Sequence, residues 1–262
     1  MPDRSPLDLN RIRAAAGEAW PRIRIVERTA STNADLVADA GVADRSVLVA
    51  EEQTAGRGRL DRSWSSPPRS GLTFSIALRP GVPLEHWGWL PLLCGVATVE
   101  AVHDVAGVDV VLKWPNDVLV GEAKVAGILA QSAGGVAVVG IGLNVSTTRD
   151  ELPVPTATSL QGAGATGTLD RSVLLGGILA HLGRWLERWY AAAGDAVGSG
   201  LAGAYRAACA TLGSQVRVSL GDGRTLEGLA TDIDGYGRIV VLDGNGPHAV
   251  GAGDVEHLRF SR

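Results

Sequence analysis

The sequence predicts a mixed α+β domain over residues 1–210, followed by an all-β module over residues 211–262. Three observations predict it. Strand-like and helix-like hydrophobic periods alternate through the first two hundred residues, and beyond Leu212 the texture changes to short alternating strands split by glycine turns. At 262 residues and 45% hydrophobic side chains, the chain can bury one large core and still carry a small module.

The elements follow in order. Asp8 to Ala16 reads as a short amphipathic helix and Ile23 to Glu27 as a first strand, which leads into the polar turn Thr29-Ala30-Ser31-Thr32-Asn33. Ala34 to Ala40 suits a helix, with Thr32 and Asp35 spaced as a capping pair. Val47 to Ala50 reads as a buried strand, Gln53 to Ser70 as a long polar loop, and Leu72 to Leu78 alternates as a half-buried strand does. Trp89 to Val105 is apolar nearly all round and has Pro91 in its first turn, which predicts a central buried helix. Val110 to Lys113, Val118 to Val120, Val125 to Ala130 and Val136 to Val145 read as consecutive strands. Asp170 caps a helix that sets Leu174, Ile178, Leu182, Trp185 and Trp189 on one stripe, and a last helix runs from Leu201 to Ala210.

Composition excludes several classes. The net charge of −4, with basic and acidic residues interspersed, is not the footprint of a nucleic-acid binder. No apolar stretch has the length of a membrane span or the form of a signal peptide, so a soluble, cytoplasmic protein with no membrane partner is expected. Cys94 and Cys209 stand too far apart for a zinc motif and read as small buried apolar residues. Of the 24 basic residues only Lys113 and Lys124 are lysines, and both fall in one short window where a compact ammonium is called for.

Five segments carry chemistry. Gln53 to Trp64 sets Arg57, Arg59 and Arg62 beside Gly56 and Gly58: glycine turns backbone amides toward an anion and arginine supplies forked donors, though a solvated surface loop has the same composition. Lys113-Trp114-Pro115-Asn116-Asp117 ends a strand in a turn that projects Asn116 and Asp117. Lys124 opens the next strand, whose regular alternation places it with Ala126 and Ile128; it is either a site lysine or an exposed edge lysine. Gly140 and Gly142 clear one face of their strand, for a ligand or for a bulge. Ser31, Thr32 and Asn33, with Gln53, either cap a helix or meet a polar ring that has both donors and acceptors. Gly162 to Gly167 matches the G-x-G-x-x-G dinucleotide pattern but follows no buried strand, so it is rejected.

Taken in order, Ser31-Thr32-Asn33, Glu52 to Arg59 with Trp64, Lys113 to Asp117, Lys124 to Leu129, and Gly140 to Val145 resemble biotin-protein ligases. The resemblance covers roughly residues 23 to 262 and implies a class II aminoacyl-tRNA synthetase-like domain with a central mixed β-sheet, plus a C-terminal SH3-like β-barrel. It implies biotin and ATP as substrates, Mg2+ with the nucleotide, and as partner the biotin carboxyl carrier domain of a biotin-dependent carboxylase. Lys124, Arg57 and Asp117 correspond to the catalytic positions. Ser31, Thr32, Asn33, Gln53, Arg57, Gly58, Arg59 and Lys124 correspond to biotin contacts, while Arg57, Arg59, Arg62, Trp64, Asn116, Asp117, Lys124 and Asn144 correspond to nucleotide contacts. No residue is assigned as a direct metal ligand. Asp61 stands where many members have glycine, and adds negative charge beside the anion loop. The short segment before the first strand leaves no room for a winged helix, so a monofunctional ligase is expected; a lipoate ligase or a non-catalytic sensor on the same fold are the alternatives, and monomer or homodimer stays open.

Overall fold

The computed structural model describes residues 4–59, 62–221 and 223–258. In chain order it contains α1 (Leu9–Ala16), β1 (Arg22–Thr29), α2 (Thr32–Ala38), β2 (Ser46–Gln53), β3 (Gly56–Arg57), β4 (Ser63–Trp64), β5 (Gly71–Leu78), α3 (Trp89–Ala106), β6 (Val111–Lys113), β7 (Asp117–Val120), β8 (Ala123–Ala133), β9 (Val136–Asn144), α4 (Arg171–Ala191) and α5 (Leu201–Ala208). Five further strands follow: β10 (Gln215–Ser219), β11 (Thr225–Ile233), β12 (Ile239–Asp243), β13 (Gly246–Val250) and β14 (Asp254–His257).

The first strands form a seven-stranded sheet in the order β1-β2-β5-β9-β8-β7-β6, with β1 and β2 parallel and every other pair antiparallel. Its two faces differ because residues alternate sides along a strand. On β5, Leu72, Phe74, Ile76 and Leu78 join the core beneath α3 and α4, while Thr73 and Ser75 point the other way. α3 is apolar enough by composition to cross a membrane, yet it is a core helix, buried between the sheet and α4. The rejected glycine pattern has a structural use: the amides of Thr166 and Gly167 donate to the Ala106 carbonyl at 3.1 and 2.9 Å, satisfying the open end of α3.

Two expectations need correction. The helix after the polar turn begins at Thr32, and Ser31 is its N-cap, its hydroxyl accepting from the Ala34 amide. Thr32 is drawn away from capping because its hydroxyl turns to Gln53 and Ser75. The long polar loop also contains the β3–β4 hairpin, whose two-residue strands are too short to show a period.

The C-terminal sheet, in the order β13-β12-β11-β10-β14, is antiparallel throughout and is joined to the large sheet by several ties. The Trp89 indole donates to the Gly235 carbonyl at 3.0 Å and the Trp114 indole to the Gly237 carbonyl at 3.2 Å. Cys209 bridges Leu112 in parallel, so the connecting segment covers the edge strand β6. At the other end of the chain, buried Arg171 on α4 pairs with Glu51 on β2 at 2.6 Å and donates to the Ser5 carbonyl, tying the N-terminal segment to the sheet.

The N-terminal tie has a second part, in which Arg4 meets Glu151 at 2.6 Å and holds that carboxyl down at about 2, helped by the Thr148 amide. A carboxylate lowered on folding adds stability above its ordinary value of 4.5, and that stability is lost as the pH falls toward about 2. Denaturant titrations of wild type and Glu151→Gln are expected to differ by a constant amount above that ordinary value and to converge in the acid range. A gap that persists under acid would contradict the assignment.

Candidate active site

One row of residues crosses five strands of the sheet. Thr73 on β5 faces Gly142 on β9, Gly142 faces Gly127 on β8, Gly127 faces Asp117 on β7, and Asp117 faces Lys113 on β6. Directly opposed residues rise from the same face of a sheet, so this row forms the floor of a cleft. The cleft encloses about 890 Å³ and is lined by every site residue singled out from the sequence.

Lys124 reaches this floor through a bulge. Leu119 pairs with Lys124 while Val118 pairs with Ala126, which leaves Val125 as an extra residue in β8. A bulge shifts side-chain parity by one and re-aims what lies beyond it. Lys124 is therefore not on the face of Ala126 and Ile128, as regular alternation predicts. Its Cε and Nζ lie 3.2 Å from where a Cβ on Gly127 would stand, and Ala126 and Ile128 are buried on the core side. The Lys124 backbone is pinned, its amide donating to the Thr156 carbonyl and its carbonyl accepting from the Thr158 amide, both at 2.8 Å.

At one end of the cleft lies a polar cluster. The Gln53 Oε1 accepts from the Thr32 amide at 2.8 Å and lies 3.0 Å from the Thr32 hydroxyl, which also meets Ser75 at 2.7 Å. Ser75 donates to the Asn33 Oδ1 at 2.6 Å, and the Asn33 Nδ2 donates to the Leu129 carbonyl and to Gln131. Both Asn33 donors are thus committed to the protein. Gly140 is the condition for this placement, because a Cβ there would sit 2.3 Å from the Asn33 Oδ1. Ser31, Thr32 and Asn33 are all buried.

The charged groups gather further along. The Lys124 ammonium pairs with Asp117 at 2.5 Å, both side chains being about a third or less exposed. Asn116 is fixed at the strand end, its Nδ2 donating to the Ile128 carbonyl at 3.2 Å and its own carbonyl accepting from the Ile128 amide. Asn144 donates to the Thr158 carbonyl at 3.0 Å. On the hairpin the Gly58 amide donates to the Arg62 carbonyl at 2.6 Å. Arg59 donates to the Gly253 carbonyl at 3.1 Å, and Arg62 pairs with Asp254, so the hairpin leans on the C-terminal sheet. Burial lowers the Arg59 guanidinium from its ordinary value against the pull of Asp254 and Asp117. Arg57 is exposed, and no ion pair engages it among the described residues. Asp61 lies outside the described residues. Five cations, Arg57, Arg59, Arg62, Lys113 and Lys124, line the cleft against Asp117, Glu122 and Asp254, a local excess of positive charge in a chain whose net charge is −4. Such a cleft attracts anions.

Trp64 lies on the floor. Its indole is 2.3 Å from a notional Cβ on Gly142 and 3.4 Å from one on Gly127, and its buried Nε1 has no acceptor among the described residues. Sequence reasoning missed Ser75 and Asp254 as cleft residues, while Lys113, singled out with Lys124, does line the cleft. The polar residues alternating through β5 were a signal for Ser75; Asp254 is placed by a contact across the two sheets and left none.

Two family models match the chain. Residues 23–147 match the biotin/lipoate A/B protein ligase family, and residues 211–258 match the biotin protein ligase C terminal domain. A biotin--[acetyl-CoA-carboxylase] ligase of Mycobacterium tuberculosis is 41% identical over 98% of this chain and 97% of its own length. The chain belongs to the biotin protein ligase family. A Paracoccus denitrificans biotin--[acetyl-CoA-carboxylase] ligase is 31% identical over 88% of this chain and 98% of its own. Among solved structures, the Aquifex aeolicus biotin protein ligase in complex with biotin and ATP superposes with a TM-score of 0.75 at 28% identity, covering 92% of this chain and 100% of that one. The Leishmania major biotin protein ligase in complex with biotinyl-5-AMP does so at 0.60 and 25%, covering 92% and 99%. The fold expected of a biotin protein ligase, a mixed sheet with helices and an SH3-like C-terminal module, is the one found.

The close approach over Gly142 can be tested by a double-mutant cycle. Gly142→Ala is expected to lose about 1–3 kcal/mol by overpacking against the indole, and most of that loss should vanish when Trp64 is already alanine. Additive losses in denaturant titrations would place the indole elsewhere.

Proposed function

We infer that this enzyme joins biotin to ATP as biotinyl-5'-adenylate and passes the biotinyl group to a lysine of the biotin carboxyl carrier domain of a biotin-dependent carboxylase. The observation that carries the reading is the order of groups along one cleft: a preordered polar cluster, a glycine floor at Gly142 and Gly127 over which the Trp64 indole lies, then Lys124 held by Asp117. That order fits a polar ring, an extended chain, and a carboxylate beside a phosphate.

Adenylation brings two anions together, and the cost falls when a fixed cation lies between them. Lys124 is that cation; Asp117 pairs with it and aims it, and Arg57 is the hairpin cation free to close on the phosphate. Gln53, Ser31 and Thr32 supply ring contacts, while Asn33 contributes the remaining lone pair on its Oδ1 and otherwise orders the cluster. Gly58 and Arg59 belong to the hairpin that covers the acyl-adenylate, Arg62 anchors it to Asp254, and Trp64, Asn116 and Asn144 border the nucleotide. The remaining oxygens of Asp117 and Asn116 are hard donors that suit an ion keeping phosphate oxygens and waters as its other ligands. Asn116 and Asp117 would hold magnesium there, and its charge would offset that of the phosphates. In the transfer step Asp117 is the carboxylate positioned to take the proton of the attacking lysine. Residues 1–210 form the catalytic unit in this reading and 211–262 the module that backs the hairpin.

Biotin-dependent exchange of pyrophosphate into ATP tests the reaction, and competition by lipoate tests the substrate. Lys124→Ala is expected to keep the fold and slow exchange by about 10²–10³, and Lys124→Arg to restore little, because a planar fork does not replace a compact ammonium on a crowded strand. Normal exchange in either variant would remove Lys124 from the chemistry.

A further inference from the structure

Lys113 lines the same cleft but has no part in the scheme above. It stands directly opposite Asp117 across the β6–β7 hairpin, so its side chain rises from the same face of the sheet. The Asp117 carboxylate is engaged by Lys124, and among the described residues Lys113 forms no ion pair. A half-buried ammonium held in no ion pair among the described residues, facing a cleft, is placed to meet an anion.

Its place along the cleft says which anion. The row Gly127, Asp117, Lys113 advances one strand at a time, so Lys113 stands about 10 Å from Gly127, given strands about 4.8 Å apart. Lys124 lies over Gly127, and Lys113 is therefore two strands beyond the reacting carboxylate and α-phosphate, on the side away from the polar cluster. His257 of β14 feels the same charge: it is lowered below its ordinary value first by burial and then by Lys113, against the pull of Glu122. Lys113 is also held firmly: the Trp114 amide donates to the Thr211 hydroxyl at 3.0 Å, and the Leu112 carbonyl accepts from the Ala210 amide at 2.8 Å.

We propose that Lys113 is a catalytic residue of the adenylation half-reaction, binding the β- and γ-phosphates of ATP and stabilising the departing pyrophosphate. The assignment rests on the function proposed above. In that step a carboxylate oxygen of biotin forms a bond to the α-phosphorus while the bond from that phosphorus to the oxygen bridging to the β-phosphorus breaks. The electron pair of the broken bond stays on pyrophosphate, no proton moves, and Lys113 remains an ammonium throughout. A lysine suits the task because its rotatable head can follow an oxygen that gains charge and then leaves. The transfer half-reaction contains no pyrophosphate, so Lys113 has no role in it.

The test separates the half-reactions in Lys113→Met and Lys113→Arg. In pyrophosphate–ATP exchange, Lys113→Met is expected to raise the KM for pyrophosphate at least tenfold and to lower the adenylation rate by about 10². Single-turnover transfer from biotinyl-adenylate prepared separately should stay within about twofold of wild type, on the ground that the leaving group is absent. Lys113→Arg should recover part of the pyrophosphate KM, since charge is restored. In the Met variant the His257 titration, followed by NMR, should move up, which reports that the fold and the local arrangement survive. Unchanged exchange kinetics in Lys113→Met, or equal losses in both half-reactions, would overturn the assignment. A wild-type protein that fails biotin-dependent exchange would overturn the function itself, and the two failures are thus distinguishable.

Discussion

The cleft depends on how closely side chains approach the sheet over its glycines. Where a Cβ on Gly140 would stand, the Asn33 amide is 2.3 Å away; where one on Gly142 would stand, the Trp64 indole is equally near; and Lys124 lies 3.2 Å from the corresponding point on Gly127. Three adjacent positions without side chains let an amide, an indole and an ammonium lie almost on the backbone. The same glycines leave the opposite face untouched, so Ile141, Leu143, Ala126 and Ile128 pack into a core that holds the strands rigid. Rigidity beneath and clearance above come from one alternation, and neither survives a shift of register.

The bulge at Val125 is the single departure from that alternation, and it puts Lys124 over Gly127. The extra residue is buried with Ala126 on the core side, so Lys124 is delivered to the cleft at no expense to packing below. Two further restraints support the charged end. Thr156 and Thr158 clamp the Lys124 backbone, and the indoles of Trp89 and Trp114 bind the C-terminal sheet to the large one. Trp114 adjoins Lys113 in sequence, so the module that receives Arg59 and Arg62 is fixed to the strand that borders the cleft.

Most of this arrangement was legible in residue patterns. The polar and apolar alternation of residues 72–78 marked a two-faced strand, the Gly140–Gly142 spacing marked a cleared face, and the clustering of Lys113 and Lys124 marked the only region that uses lysine. The residues picked out in this way line one cleft. What was not legible has a common cause: it depends on backbone events or on distant contacts. A bulge leaves no special residue type behind, so Lys124 was assigned to the wrong face. Ser31 and Thr32 are chemically alike, and only the position of Gln53 and Ser75 decides which of them caps α2. The partners of Arg59 and Arg62 lie more than 190 positions away, across a junction between two sheets.

In the proposed reaction the bulged β8 holds Lys124 at the junction of acyl group and phosphate. A crystal structure with a sulfamoyl analogue of biotinyl-adenylate measures this directly. The Lys124 ammonium is expected within hydrogen-bond distance of the acyl and sulfamoyl oxygens, with Val125 still unpaired and the ring between Ser31, Thr32 and Gln53. A regular β8 with Lys124 turned to the Ala126 side, or a linkage bound away from Gly127, would contradict it.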